Sequence, residues 1–121
     1  MIQIDLSGKS VLITGGTKGI GLASALKLAK AGAATYLTYK WGSADLDQIA
    51  ADFVAEGAIA PVFIQADVSI AEDTQLVMDA IREKEEKLDI FISNVGFAQS
   101  PKSLQDYKKR SLYKTLDYST W

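Results

Sequence analysis

The sequence predicts a three-layer α/β/α domain built on a parallel sheet with strand order 3-2-1-4. Two observations carry this. Short runs rich in apolar, aromatic and β-branched residues alternate with longer stretches of helical period, and such alternation implies right-handed crossovers and parallel pairing. The first run, Val11-Leu12-Ile13, also feeds directly into the glycine-rich stretch Thr14-Gly15-Gly16-Thr17-Lys18-Gly19-Ile20-Gly21, behind which a helix begins.

The elements follow in order. A first strand spans 9–15 and a first helix runs from Gly19 to about Ala31, where Gly32 stops it. The run 34–39 (Ala-Thr-Tyr-Leu-Thr-Tyr) has the composition of a second strand. Ser43 is placed to cap a second helix, whose Leu46, Ile49, Ala50, Phe53 and Val54 fall on one apolar face and which ends at Gly57. A third strand spans 60–66, with Pro61 near its start where a missing N–H is tolerated. Ser69 and Glu72 have the spacing of a capping box, predicting a third helix to about Lys87 with Leu76, Val77, Ala80 and Ile81 inward and 82–87 as a solvated end. Residues 88–93 form a fourth strand. Residues 94–121 show no clean period and are expected to be a long loop, which in a compact domain usually serves function.

Composition narrows the chemistry. One domain is expected over residues 1–121, with 1–96 as its core and 97–121 as a loop segment set apart from it. The chain has no cysteine and no histidine, so disulfides, thiolate nucleophiles and the commonest metal ligand are excluded, and no metal site is expected. Residues 1–96 carry a net charge of −5 and residues 97–121 a net charge of +3. An acidic body argues against nucleic-acid binding. No run approaches the length of a membrane span, and the N-terminus lacks a signal-peptide pattern, so a cytoplasmic protein without membrane attachment is expected.

Glycines between a strand and a helix leave backbone N–H groups at the positive end of the helix dipole, a seat for a pyrophosphate. The spacing here, G-x-x-x-G-x-G in TGGTKGIG, resembles that of the short-chain dehydrogenase/reductase family, a Rossmann-type fold in which this loop binds the diphosphate of NAD or NADP. The resemblance assigns that task to Gly15, Thr17, Lys18, Gly19, Ile20 and Gly21. It further implies that Asp67 meets the adenine amino group and Val68 the ring. Asn94-Val95-Gly96 stands where the family usually reads Asn-Asn-Ala-Gly (with Ser93 for the first Asn), leaving room at Gly96 for ribose and nicotinamide. Leu88-Asp89-Ile90 is also a familiar run.

At the end of the second strand, Tyr39 and Lys40 occupy the corner where NAD binders place an acid for the adenosine 2′-hydroxyl. With no carboxylate there before Asp45, and with Lys18 and Lys40 to attract a phosphate, NADP (NADPH) is expected in preference to NAD.

The family's catalytic Tyr and Lys, one helical turn apart, have no counterpart. The sole Tyr-x-x-x-Lys match, Tyr36 to Lys40, lies in a strand, where that spacing does not bring the side chains together. No catalytic residue is therefore assigned, and the chain is expected to be the cofactor-binding part of a longer enzyme whose second half is missing, leaving the Ile90-Phe91-Ile92 edge unpaired. The stretch from Ser93 to Ala98, followed by Asp106-Tyr107, Lys114 and Asp117-Tyr118-Ser119, looks like enoyl-acyl-carrier-protein reductases, whereas TGGTKGIG is the form found in 3-oxoacyl-carrier-protein reductases. Both imply a substrate linked to an acyl carrier protein, and the family implies a homo-oligomer. A non-catalytic nucleotide-binding or interaction module is the alternative.

Overall fold

The computed structural model describes residues 3–42, 44–95 and 108–119. Four strands, β1 (Ser10–Ile13), β2 (Ala34–Tyr39), β3 (Val62–Gln65) and β4 (Ile90–Ile92), form one parallel sheet in the order β3-β2-β1-β4. The helices are α1 (Gly19–Lys30), α2 (Leu46–Ala55), α3 (Ala71–Arg82) and α4 (Lys109–Ser119). The predicted sheet, its strand order and its parallel pairing are all observed.

Successive residues of a strand point to opposite faces, and β1 divides its side chains accordingly. Val11 and Ile13 join Leu37, Ala25, Ala29, Ile49 and Phe53 in a core under α1 and α2. Leu12 joins Tyr36, Ile64, Ala66, Val77 and Ile81 in a second core under α3. Both faces of β1 are thus buried, which is why its sequence reads as a continuous apolar run.

Several local expectations are corrected. Asp45 caps α2, its Oδ1 accepting from the Gln48 N–H at 3.1 Å, in place of Ser43, which lies outside the described residues. The capping box at α3 does not form: Ile70 holds the N-cap position, and the Ser69 hydroxyl turns back to donate to Asp67 Oδ1 at 2.6 Å. Local bonds of this kind compete with helix capping for a serine hydroxyl. Helix α3 ends at Arg82, well before Lys87. Beyond Ile81 the run 82–87 has no apolar residue to hold another turn against the sheet, and the helix closes in a final turn with the Lys84 and Glu85 N–H groups on the Ile81 carbonyl at 3.0 and 2.9 Å. Of the inward residues expected, Val54 and Leu76 are exposed, at 61% and 50%. Residues 109–119 are helical where a loop was expected. The helical spacing of Leu112 and Leu116 is present there, but polar neighbours obscure it over so short a span.

Candidate cofactor site

The first strand lies between β2 and β4, and the chain leaves β1 at the point where the strand order reverses, the place where open α/β sheets bind ligands. Three strand ends build the floor of the site. The Gly15 N–H donates to Thr38 Oγ1 at 3.2 Å, the Asn94 N–H to Thr14 Oγ1 at 3.0 Å, and Asn94 Nδ2 to the Gly15 carbonyl at 3.0 Å. Thr14 and Thr38 are both buried. Sequence reasoning assigned no role to these two threonines: Thr14 directly follows β1, and Thr38 lies within β2, one residue before its end.

The glycines of the loop serve two different geometries. Gly19 has φ +61°, a region L side chains rarely adopt, and nothing lies within 4 Å of where its Cβ would stand. That open space lies over the start of α1. At Gly21 the reverse holds: a Cβ would stand 2.5 Å from the Gly15 carbonyl oxygen and 2.6 Å from Asn94 Nδ2. Gly21 therefore sets how closely α1 approaches β1 and β4. Gly16, which sequence reasoning did not single out, packs equally tightly, with Leu37 Cδ2 2.8 Å from its Cβ position.

The start of α1 shares with α3 the lack of a side-chain cap but differs from both α2 and α3 in the charge of its first turn. Lys18 is the N-cap in extended conformation with no side-chain cap, and the first turn holds no acidic residue. Helix α2 has Asp45 and Asp47 there, and α3 has Glu72 and Asp73. An uncompensated helix N-terminus facing open space suits an anion, so the loop fits a dinucleotide pyrophosphate.

The remaining expected residues are placed as follows. Thr17 is buried within the loop, whereas Lys18 and Ile20 are exposed, Ile20 at 80%. Tyr39 is half-buried at the end of β2. Val68 is buried and lines one end of a groove of about 560 Å³ on the α3 face, together with Leu12, Ile70 and Phe91. Val95 flanks Gly15, its Cγ2 3.0 Å from the Gly15 Cβ position. Gly96 lies outside the described residues.

One contact was not foreseen. Lys40 Nζ, half-buried at the end of β2, pairs with Asp67 Oδ2 at 3.1 Å and lies 4.6 Å from the Trp41 ring centroid. Burial pushes the Asp67 carboxyl up, but the Ser69 hydroxyl and amide and the Lys40 ammonium outweigh it and hold the group below the usual carboxylate range.

Tyr36 and Lys40 do not form an acid–base pair. The Tyr36 hydroxyl donates to Glu85 Oε1 at 2.9 Å, and burial, with the Glu85 bond and charge, pushes the phenol up to about 12. That shift is opposite to what proton transfer at neutral pH requires. Among the described residues no group of three or more potential ligands could hold a metal ion, and no helix is long and apolar enough to cross a membrane.

A parallel sheet with a glycine-lined helix N-terminus at its switch point defines a Rossmann-type dinucleotide-binding domain. The family model of the short chain dehydrogenases matches residues 9–120, and the chain belongs to that family. It is 30% identical over 94 residues to a 3-oxoacyl-[acyl-carrier-protein] reductase of Synechocystis sp., covering 78% of this chain and 38% of that protein. It superposes on the crystal structure of NADH-dependent reductase A1-R′, responsible for alginate metabolism, with TM-score 0.84 and 29% identity over 95% of this chain and 46% of the other. The NADPH-dependent 3-quinuclidinone reductase of Rhodotorula rubra gives TM-score 0.83 and 26% identity over 96% of this chain and 43% of the other. The chain spans 33–38% of the length of the curated relatives it matches.

Proposed function

We propose that the chain is the cofactor-binding part of an NADPH-dependent reductase acting on an acyl or polyketide intermediate linked to a carrier protein, at an enoyl C=C or a 3-oxo group. The carrying observation is the seat at α1: an uncapped helix N-terminus with no acid in its first turn, and open space above Gly19 where a side chain would otherwise stand. Gly15, Thr17, Lys18, Gly19, Ile20 and Gly21 would hold the pyrophosphate, Asp67 and Val68 the adenine, and Asn94, Val95 and Gly96 the ribose and nicotinamide. The bound nicotinamide would supply a hydride.

Relatives of this fold carry names with either NADH or NADPH, so the cofactor preference rests on the chain itself. No carboxylate follows β2 before Asp45, and Lys40 stands at that corner. The carrier-linked substrate is supported by the name of the Synechocystis relative and by the exposed Lys108, Lys109, Arg110 and Lys114 on and beside α4. Carrier proteins are acidic, and a basic lip steers such encounters.

Calorimetry on the 121-residue chain tests the seat and the cofactor together. Gly19→Val abolishes NADPH binding while the fold persists. Lys18→Ala with Lys40→Ala weakens NADPH by about 2–4 kcal/mol, as loss of charge-assisted bonds does, and leaves NADH nearly unchanged. Unchanged NADPH affinity in folded Gly19→Val overturns the site, and equal losses for both cofactors overturn the NADPH preference.

A further inference from the structure

The partner of Lys40 bears directly on cofactor choice. Lys40 follows β2 and Asp67 follows β3, and the two strands run side by side with Tyr39 opposite Gln65. The Ala66 N–H donates to the Tyr39 carbonyl at 2.9 Å, and Gln65 Nε2 donates to the Lys40 carbonyl at 3.2 Å. The corner is thereby stitched at the backbone, and the two side chains meet across it.

The carboxylate of this pair is fixed by short local hydrogen bonds, whereas the ammonium stands at the end of a long side chain. Asp67 Oδ1 accepts from the Ser69 hydroxyl at 2.6 Å and from the Ser69 N–H at 3.0 Å, while the Asp67 N–H donates to Asp73 Oδ2 at 2.7 Å. Oδ2 faces Lys40 Nζ at 3.1 Å. The Lys40 stem is flexible and lies against Trp41, so the ammonium can move while the carboxylate stays. The Asp67 side chain is 16% exposed and that of Lys40 33%. If the cation leaves, Oδ1 keeps its Ser69 bonds but Oδ2 loses the charge that faces it.

We propose that Asp67 sets the cofactor preference of this site by holding Lys40: a 2′-phosphate must draw the ammonium from Asp67, or share it, so the ion pair reduces what the phosphate gains. Asp67 is then a specificity-determining residue acting through Lys40, in addition to any contact of its own with adenine. The inference rests on the dinucleotide site proposed above. It also explains how a corner without a carboxylate in its own sequence still presents one in space.

The test uses 2′,5′-ADP and 5′-AMP, which differ only by the 2′-phosphate, titrated calorimetrically into the full chain. Any contact of Asp67 with adenine is common to both and cancels in the ratio of their Kd values. Asp67→Asn is expected to raise the preference for 2′,5′-ADP about three- to fivefold, the worth of a partly exposed ion pair. In a Lys40→Met background the same substitution is expected to change the preference less than about twofold. Should Asp67→Asn fail to fold by circular dichroism, Asp67→Ser takes its place. A preference unchanged or lowered by the Asp67 variant overturns the proposal, as does an equal rise without Lys40, which would mean direct repulsion of the phosphate. In those cases nucleotide binding stands and the inference alone falls. Failure of the folded wild type to bind either nucleotide overturns the site and the inference together.

Discussion

Asn94 Nδ2 donates to the Gly15 carbonyl at 3.0 Å, so a side chain leaving β4 holds the loop that leaves β1. The Asn94 N–H is engaged as well, on Thr14 Oγ1. This clamp joins the two strands that flank the switch point, and Gly21 packs directly against it.

Two substitutions should separate the bond from the packing. Asn94→Ala removes one part-buried hydrogen bond and is expected to lower stability by about 1 kcal/mol. Gly21→Ala places a methyl against the Gly15 carbonyl, which as backbone cannot swing aside, and is expected to lose about 1–3 kcal/mol. Urea denaturation measures both. A Gly21→Ala chain as stable as wild type would show that α1 is not pinned there.

The Tyr36–Glu85 bond predicts a dependence on alkaline pH. An unfolded tyrosine ionises near pH 10, whereas Tyr36 in the fold does so at about 12, chiefly because it is buried and secondarily because Glu85 lies beside it. Between these values the unfolded chain gives up the proton first, so unfolding is favoured as pH rises. The stabilisation is therefore whole below about pH 10 and lost from about 10 to 12, at up to roughly 1.4 kcal/mol per pH unit. Denaturant midpoints at several pH values should show wild type losing its advantage over Tyr36→Phe across that window. Parallel curves for the two proteins would refute the shift.

Thr35 Oγ1 is buried in the central part of the sheet and has no hydrogen-bond partner among the described residues. Its hydroxyl was desolvated without compensation, so Thr35→Val, which keeps the branched shape, is expected to stabilise the fold by about 1–2 kcal/mol. Thermal unfolding measures this directly. A lower midpoint for the valine variant would mean that the hydroxyl is satisfied in solution.

Much of the architecture was legible because it follows from short-range pattern and chain order. Val11-Leu12-Ile13 and the run from Ala34 to Tyr39 read as strands without any knowledge of their neighbours. Alternation with helices then dictates parallel crossovers and the order of the sheet. Helix ends were less legible. Ser43 and Ser69 have capping chemistry, yet Asp45 caps α2 and Ser69 turns to Asp67, because several short polar residues near a helix start compete and the route of the chain selects among them. Helix α4 escaped notice since a single turn or two of apolar spacing is not distinctive.

By itself the sequence determined the fold class and the position of the glycine seat, since each depends on residues close together along the chain, and the strand order followed from the general rules for crossovers in such sheets. Only the tertiary structure decided what the functional side chains touch. Lys40 reads as a basic residue at an acid-free corner until β3, running parallel to β2, brings Asp67 to 3.1 Å from it. Asn94 reads as a cofactor residue, and only the pairing of β4 with β1 reveals that its amide also sits on Gly15. Electrostatic and hydrogen-bond partners are chosen by distance in space, and strands distant in sequence become neighbours only when the sheet has formed.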